Sequence, residues 1–383
     1  MIFHMKIALV RTASNILTYG GYNIQEIGLA KVLMNYGISS DVYARFSNVD
    51  EDKVVIEKEG TRVTICPLKG KQIYREIMYY PSLKYDLLTG GYDIVQLLDD
   101  SQMMLPMLFK ALKKNGVKTI LWQGMYRNFS AKPARIMQMV YDVVFARSLN
   151  RNADLKIAKT EAAKQYLELK HYHNIITIPV GLDEVESVVN MELDMRIADF
   201  KEKYPQTLLY IGAIEQRRNP DFLVDVLELL NRDDIGLVII GNGVLKEHLL
   251  ERIAVSKRKR QILYFEKIPN NELISVFSRA DLFLLPTNYE IYGMVVMEAL
   301  SHGVPVISTP EAGPAYILSE RILGICLKLN TEVWCDEISR RLATGVSNAD
   351  KQYMHNYVDE KFRWPQIAAE YYNVLSKLMM VSK

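Results

Sequence analysis

Two short apolar runs, Leu282-Phe-Leu-Leu285 and Val304-Pro-Val-Ile-Ser308, flank a helix-length segment near the end of this 383-residue chain. Each run is brief and nearly all apolar, which marks a strand covered on both faces, as strands of a parallel sheet are. Parallel neighbours need a crossover, usually a helix. The segment between them, Glu290-Ile-Tyr-Gly-Met-Val-Val-Met-Glu-Ala-Leu-Ser-His-Gly303, supplies it, with a glycine opening an apolar helix near Gly293. The same alternation recurs throughout, so the expected class is α/β with parallel sheets.

This segment also carries chemistry. Glu290 falls in the loop at a strand's carboxyl end, and Glu298 falls inside the helix that follows. Unpartnered N–H groups at a helix start attract a phosphate. A carboxylate inside that helix can accept two hydroxyl hydrogen bonds from a polyol. Two acids beside an anion site would repel the anion unless their own partners were neutral hydroxyls. Phosphate together with sugar hydroxyls is what a nucleotide sugar offers.

Length suits two domains better than one core. Hydrophobic residues at 49% and charged residues at 24% are globular values, and a net charge of +2 gives no reason to expect nucleic acid. Cys66, Cys326 and Cys335 are odd in number and lack metal or redox spacing, which favours a reducing cytoplasm. No apolar run approaches a membrane span, and the start lacks a signal-peptide layout, so any membrane association would be peripheral.

In the first half, strands are expected at Lys6–Val10, Asp41–Ala44, Ile94–Leu98, Thr119–Trp122, Leu155–Ala158 and Ile175–Ile178. The polar stretch Asp183–Asn190 is the best interdomain link. The pattern then restarts with Thr207–Ile211, Gly236–Ile240, Ile262–Phe265, Leu282–Leu285 and Val304–Ser308, and a last helix covers Pro365–Met380.

Other motifs are read against plainer alternatives. Tyr19-Gly-Gly-Tyr22 lets backbone approach a ligand at Gly20 and Gly21, or is simple turn chemistry. In Tyr210-Ile-Gly-Ala-Ile-Glu-Gln-Arg-Arg-Asn-Pro-Asp221, Asn219 suits an N-cap and Pro220 a first helical position. Arg217 and Arg218 stand just before that helix and add cations to an end that already favours anions; a solvated pair is the plain alternative. Gly241-Asn-Gly243 follows a strand, but the third glycine of a dinucleotide fingerprint would fall at Lys246; Glu266 is near the distance of a ribose-binding acid. Asp99-Asp100 is best explained by capping of a helix at Ser101–Met104, and the six histidines do not assemble a metal site. Lys132–Arg151 sets Ile136, Met139, Val140, Val143 and Val144 on one face with cations elsewhere. That face reads as an ordinary core helix, with docking to an anionic membrane or an acceptor as the lesser alternative.

The segment Glu290–Gly313 resembles the Glu-x7-Glu signature of family-four retaining glycosyltransferases of the GT-B type, and the likeness extends over nearly the whole chain. It implies two Rossmann-like domains facing a cleft: 1–182 binding the acceptor, 183–362 binding the donor, and 363–383 returning to the first domain. By resemblance Glu298 binds ribose hydroxyls, Glu290 binds hydroxyls of the transferred sugar, and Arg218, helped by Arg217, neutralises the diphosphate. Gly20, Gly21, Tyr292, Gly293, Met294 and Val295 would line the donor phosphates, and Gly243 would lie near the base. Gln123 stands where the family shows a histidine near the reacting centre, and Ala213 stands where it shows an arginine. No metal is expected. The implied reaction moves a sugar from a nucleotide-diphosphate sugar to a glycan or lipid-linked acceptor in surface-glycan synthesis. Ala213 and Gln123 motivate the alternative, a sugar-nucleotide-binding protein without transfer activity.

Overall fold

A computed structural model describes residues 5–20, 24–74, 77–184, 186 and 188–380. The chain divides into two compact units, Met1–Asp183 with Arg363–Lys383, and Glu184–Phe362.

The first unit holds β1 (Met5–Val10), β2 (Ile38–Ala44), β3 (Lys53–Lys58), β4 (Thr61–Pro67), a hairpin of β5 (Lys71–Tyr74) and β6 (Ile77–Tyr79), then β7 (Ile94–Leu98), β8 (Lys118–Gln123), β9 (Leu155–Ala158) and β10 (Ile175–Thr177). The main sheet runs β10-β9-β8-β7-β1-β2-β4-β3. Its pairings are parallel except β3 against β4. β7 is buried along its whole length, as a strand with helices on both faces must be.

Every expected strand is present, with shifts only at the ends. β3 to β6 are additions. Lys53-Val-Val-Ile-Glu-Lys58 is exposed at both ends and half-buried in the middle, so its charged antiparallel edge carries little apolar signal.

The second unit holds β11 (Gln206–Ile211), β12 (Ile235–Ile240), β13 (Ile262–Phe265), β14 (Leu282–Leu285), β15 (Val306–Ser308) and β16 (Gly324–Cys326). All its pairings are parallel, in the order β13-β12-β11-β14-β15-β16. Chain order therefore reverses between β11 and β14. Open α/β sheets bind ligands outside the carboxyl ends of strands at such a switch point.

The final helix, Trp364–Met380, packs within the first unit. Gly28 and Gly181 make room for the Trp364 indole: a Cβ would come within 2.1 Å of its Nε1 at Gly28 and 2.3 Å of Cδ2 at Gly181. The Tyr371 hydroxyl donates to Gln96 of β7, and Tyr372 stacks on Tyr36 at 4.5 Å. Two glycines and one indole thus fix where the chain re-enters its first unit.

Candidate active site

The β11 and β14 loops are built as one piece. Asn288 N–H donates to the Arg217 carbonyl at 2.7 Å, and the Arg217 guanidinium donates to the Tyr289 carbonyl at 2.7 Å. The Thr287 hydroxyl also reaches the Arg217 carbonyl at 3.3 Å, while Thr309 bonds the Thr287 carbonyl from the next strand's end. Sequence reasoning missed both threonines. Only their place at the carboxyl ends of β14 and β15 could have pointed to them.

The Arg217 guanidinium is paired with Glu215 at 2.7 Å and ties the two loops together. Asn219 is corrected by this geometry. It sits at φ 46°, ψ 56° and makes no cap bond; its amide donates instead to the Pro286 carbonyl at 3.1 Å. Pro220 does open the Pro220–Leu230 helix, as its fixed φ favours.

Arg218 and Glu290 meet across the switch point as an ion pair, their side chains only 12% and 13% exposed. Burial works most strongly against the Arg218 charge, but Glu290, Tyr210 and Glu215 together outweigh it, and the guanidinium pKa is raised. Among the described residues the buried Arg218 Nε has no hydrogen-bond partner. A desolvated cation with a spare donor suits an anionic oxygen. Glu290 Oε1 also accepts from Gly293 N–H at 3.1 Å. One carboxylate therefore orients the arginine and the start of the next helix.

Gly293 takes φ 86° at the N-cap of the Met294–Ser301 helix, a conformation that disfavours any side chain. With its N–H turned to Glu290, the helix end presents the following N–H groups, those of Met294 and Val295. Tyr292 is buried under this turn, and Gly313 packs against its backbone, where a Cβ would lie 1.9 Å from the Tyr292 carbonyl oxygen. Glu298 is buried within the same helix, on the face one turn below Met294.

Gly243 has a packing role: a Cβ there would come 2.4 Å from the Ile214 carbonyl oxygen. Glu266 is taken by Lys246 at 2.6 Å and Asn242 at 2.7 Å, which removes the ribose acid of the dinucleotide alternative. A cavity of about 290 Å³ opens by the start of the Pro220–Leu230 helix, lined by Gln216, Asn219, Phe222, Leu245 and Leu329 among others. A larger cavity, about 710 Å³, is lined by residues such as Lys6, Asp41 and Tyr92 of the first unit and touches none of these loops.

In the first unit Gly20 adopts φ 78° in open space, in a loop tied down by Tyr19 N–H to Asn48 at 2.9 Å. Gly21 lies outside the described residues. Gln123 is fully buried and spent on its own loop. It accepts from Asp100 N–H at 2.9 Å and donates to the Met125 carbonyl at 3.0 Å, so its amide is engaged within the first unit. The Asp99-Asp100 cap is overturned as well. Asp99 accepts the N–H groups of Gly124 and Met125 at 2.7 and 3.0 Å, and Asp100 pairs with Lys170 at 2.8 Å. The helix beyond begins only at Leu105, uncapped by either acid.

A buried charge cluster at the carboxyl edge of the first sheet was also missed. Arg11 binds Glu26 through both carboxylate oxygens, at 2.7 and 2.9 Å from Nη2. Lys159, directly after β9, donates to Gln25 at 2.8 Å and lies 3.8 Å from the Trp122 ring centroid. Burial pushes the Lys159 ammonium down to about 8 against the pull of Glu26 and Asp99. The signal was available in Ala158-Lys-Thr160, a lysine at a strand's carboxyl end.

Among the described residues no three His, Cys, Asp or Glu side chains gather to hold a metal ion, and no helix is long and apolar enough to cross a membrane.

Two doubly wound α/β units with parallel sheets are the architecture of GT-B glycosyltransferases. Residues 192–355 match the sequence model of the family described as glycosyl transferases group 1. That match lies within the second unit and spans under half of the chain, which is an enzyme of glycosyl transfer. It is 23% identical over 370 residues to D-inositol 3-phosphate glycosyltransferase of Corynebacterium urealyticum, covering 85% of this chain and 82% of that protein. It is also 23% identical over 270 residues to an uncharacterised 41.2 kDa protein in the cps region of Klebsiella pneumoniae, covering 70% and 73%. Sucrose-phosphate synthase from Thermosynechococcus elongatus superposes with a TM-score of 0.74 at 18% identity, over 98% of this chain and 100% of that one. Anabaena HepE in complex with UDP gives 0.75 at 13%, over 97% and 100%.

Proposed function

We propose that this enzyme is a retaining, metal-independent glycosyltransferase that moves a sugar from a nucleoside-diphosphate sugar to a glycan or lipid-linked acceptor. It serves surface-glycan synthesis in the cytoplasm, at the inner face of the membrane. The observation that carries the reading is the buried Arg218–Glu290 pair at the second sheet's switch point. In this reading the first unit binds the acceptor and the second the donor. The match of residues 192–355 to glycosyl transferases group 1 favours transfer over the binding-only alternative.

Arg218 has a buried Nε–H that no other described residue accepts, so a diphosphate oxygen arriving there gains a charge-assisted bond without displacing Glu290. Its effect grows as the glycosidic bond breaks, because negative charge then collects on the leaving phosphate. The N–H groups of Met294 and Val295 complete the cradle. Glu290 holds Arg218 in place and offers its carboxylate to hydroxyls of the transferred sugar, while Glu298 takes the ribose hydroxyls. Attack on the same face that the diphosphate leaves retains the anomeric configuration, and no carboxylate nucleophile is required.

The test is a panel of nucleotide sugars, each followed for nucleoside diphosphate release with and without excess chelator. Product configuration is read by NMR. Release from one donor in chelator, with the donor's anomeric configuration kept, supports the reading. Abolition by chelator with rescue by manganese or magnesium overturns metal independence, and an inverted product overturns retention.

A further inference from the structure

We infer that the outer face of the Lys132–Asn152 helix is a docking surface for an anionic lipid bilayer. This deepens the reading of a membrane-peripheral enzyme and rests on it for its biological sense.

The helix is held to its unit by one stripe only. Ala146 and Leu149 enter the core, Gln138 donates to the Tyr166 hydroxyl at 2.8 Å, and the Tyr141 hydroxyl donates to the Gln102 carbonyl at 2.8 Å. The opposite stripe is apolar and faces water: Ile136, Met137, Met139, Val140, Val143 and Val144 are each between 44% and 86% exposed. At about 100° per residue they share a sector of roughly 160°. Their expected place in the core is therefore wrong. The polar Gln138 is inside and the valines are outside, an inversion that burying apolar surface alone would not select.

Charge identifies the occupant. Lys132 and Arg135 stand exposed at the start of the helix, and Arg147 and Arg151 stand exposed at its end. The helix has one acid, Asp142, which is turned inward to Lys170 at 3.0 Å. An apolar face bracketed by cations, with no exposed acid, matches the headgroup–acyl boundary of an anionic membrane. A second copy fits worse. A two-fold pairing of this helix with itself, parallel or antiparallel, would set each cationic end against a cationic end of the partner. At about 1.5 Å per residue the helix is roughly 31 Å long, enough to lie along a surface with cations at both ends.

Sedimentation of the full chain with phosphatidylcholine vesicles, with and without phosphatidylglycerol, tests this directly. The wild type should bind the anionic vesicles, bind neutral ones much less, and lose affinity as salt rises. Val140→Glu/Val143→Glu and Arg147→Gln/Arg151→Gln should each weaken binding at least about tenfold, since each 1.4 kcal/mol is a decade. Melting temperature and donor turnover in solution should stay unchanged, because all four side chains are exposed. Equal binding by wild type and variants, equal binding to neutral vesicles, or no vesicle binding at all overturns the proposal. Self-association of the wild type that the variants abolish, without vesicle binding, also overturns it and assigns the face to a second copy. Vesicle binding needs no donor, so its failure is separable from failure of the transferase reading.

Discussion

Arg218 and Glu290 form a buried ion pair whose two halves come from loops on either side of the β11–β14 switch point. Sequence reasoning gives them separate tasks, one for phosphate and one for sugar. Their pairing means that each depends on the other. Removing Glu290 leaves Arg218 without its orienting partner, and removing Arg218 takes the counter-charge from the Glu290 carboxylate.

Glu298→Ala tests the ribose assignment. Hydrogen bonds to a charged group contribute roughly 1.5–3 kcal/mol each, so nucleoside diphosphate affinity should fall at least about tenfold. Calorimetry on the folded variant reads this. Unchanged affinity with lowered stability would make Glu298 a structural residue.

Gly293→Ala tests the helix start. An L side chain at φ 86° costs roughly 1–2 kcal/mol, and the added Cβ would sit 3.3 Å from Val296 Cγ2. The variant should melt lower and bind nucleoside diphosphate more weakly, because the turn that positions Glu290 must shift. Wild-type melting and affinity together would show that the left-handed turn is dispensable.

Lys159 gives a pH dependence. Its ammonium is held at about 8 by burial, against about 10.4 in an unfolded chain. Below about pH 8 both states carry the proton and the folded protein bears the cost of the buried charge. Between the two values the unfolded chain binds more protons, so this group's contribution to stability rises with pH, by on the order of 3 kcal/mol in all. Lys159→Met lacks that rise. Melting curves from about pH 7 to about pH 10 should therefore shift in favour of the wild type relative to the variant. A constant difference would mean that Lys159 titrates normally.

The order of strands and helices was legible because both sheets are parallel and covered, so each strand is a short apolar run and each crossover a helical one. Gly293 and Pro220 were legible because backbone geometry there admits few residue types. What escaped depended on partners remote in sequence. The apolar stripe of Lys132–Asn152 gives a face but not its direction, and Gln138 turns inward where Tyr166 and the Phe129 N–H satisfy its amide. Gln123 resembled a substrate-binding residue by position, yet Asp100 and Met125 consume its amide. Asn219 had the right residue type for a cap, but its amide is needed at the end of β14.

The central claim is that the Arg218–Glu290 pair serves departure of the diphosphate. The most direct measurement is nucleoside diphosphate release from the active donor by wild type and Arg218→Ala, beside the affinity of each for that donor. Loss of one preorganised charge-stabilising donor typically costs roughly 10²–10³ in rate. The account predicts a loss of that size in turnover, a smaller loss in affinity, and a folded protein. Arg218→Ala releasing diphosphate at the wild-type rate would contradict it.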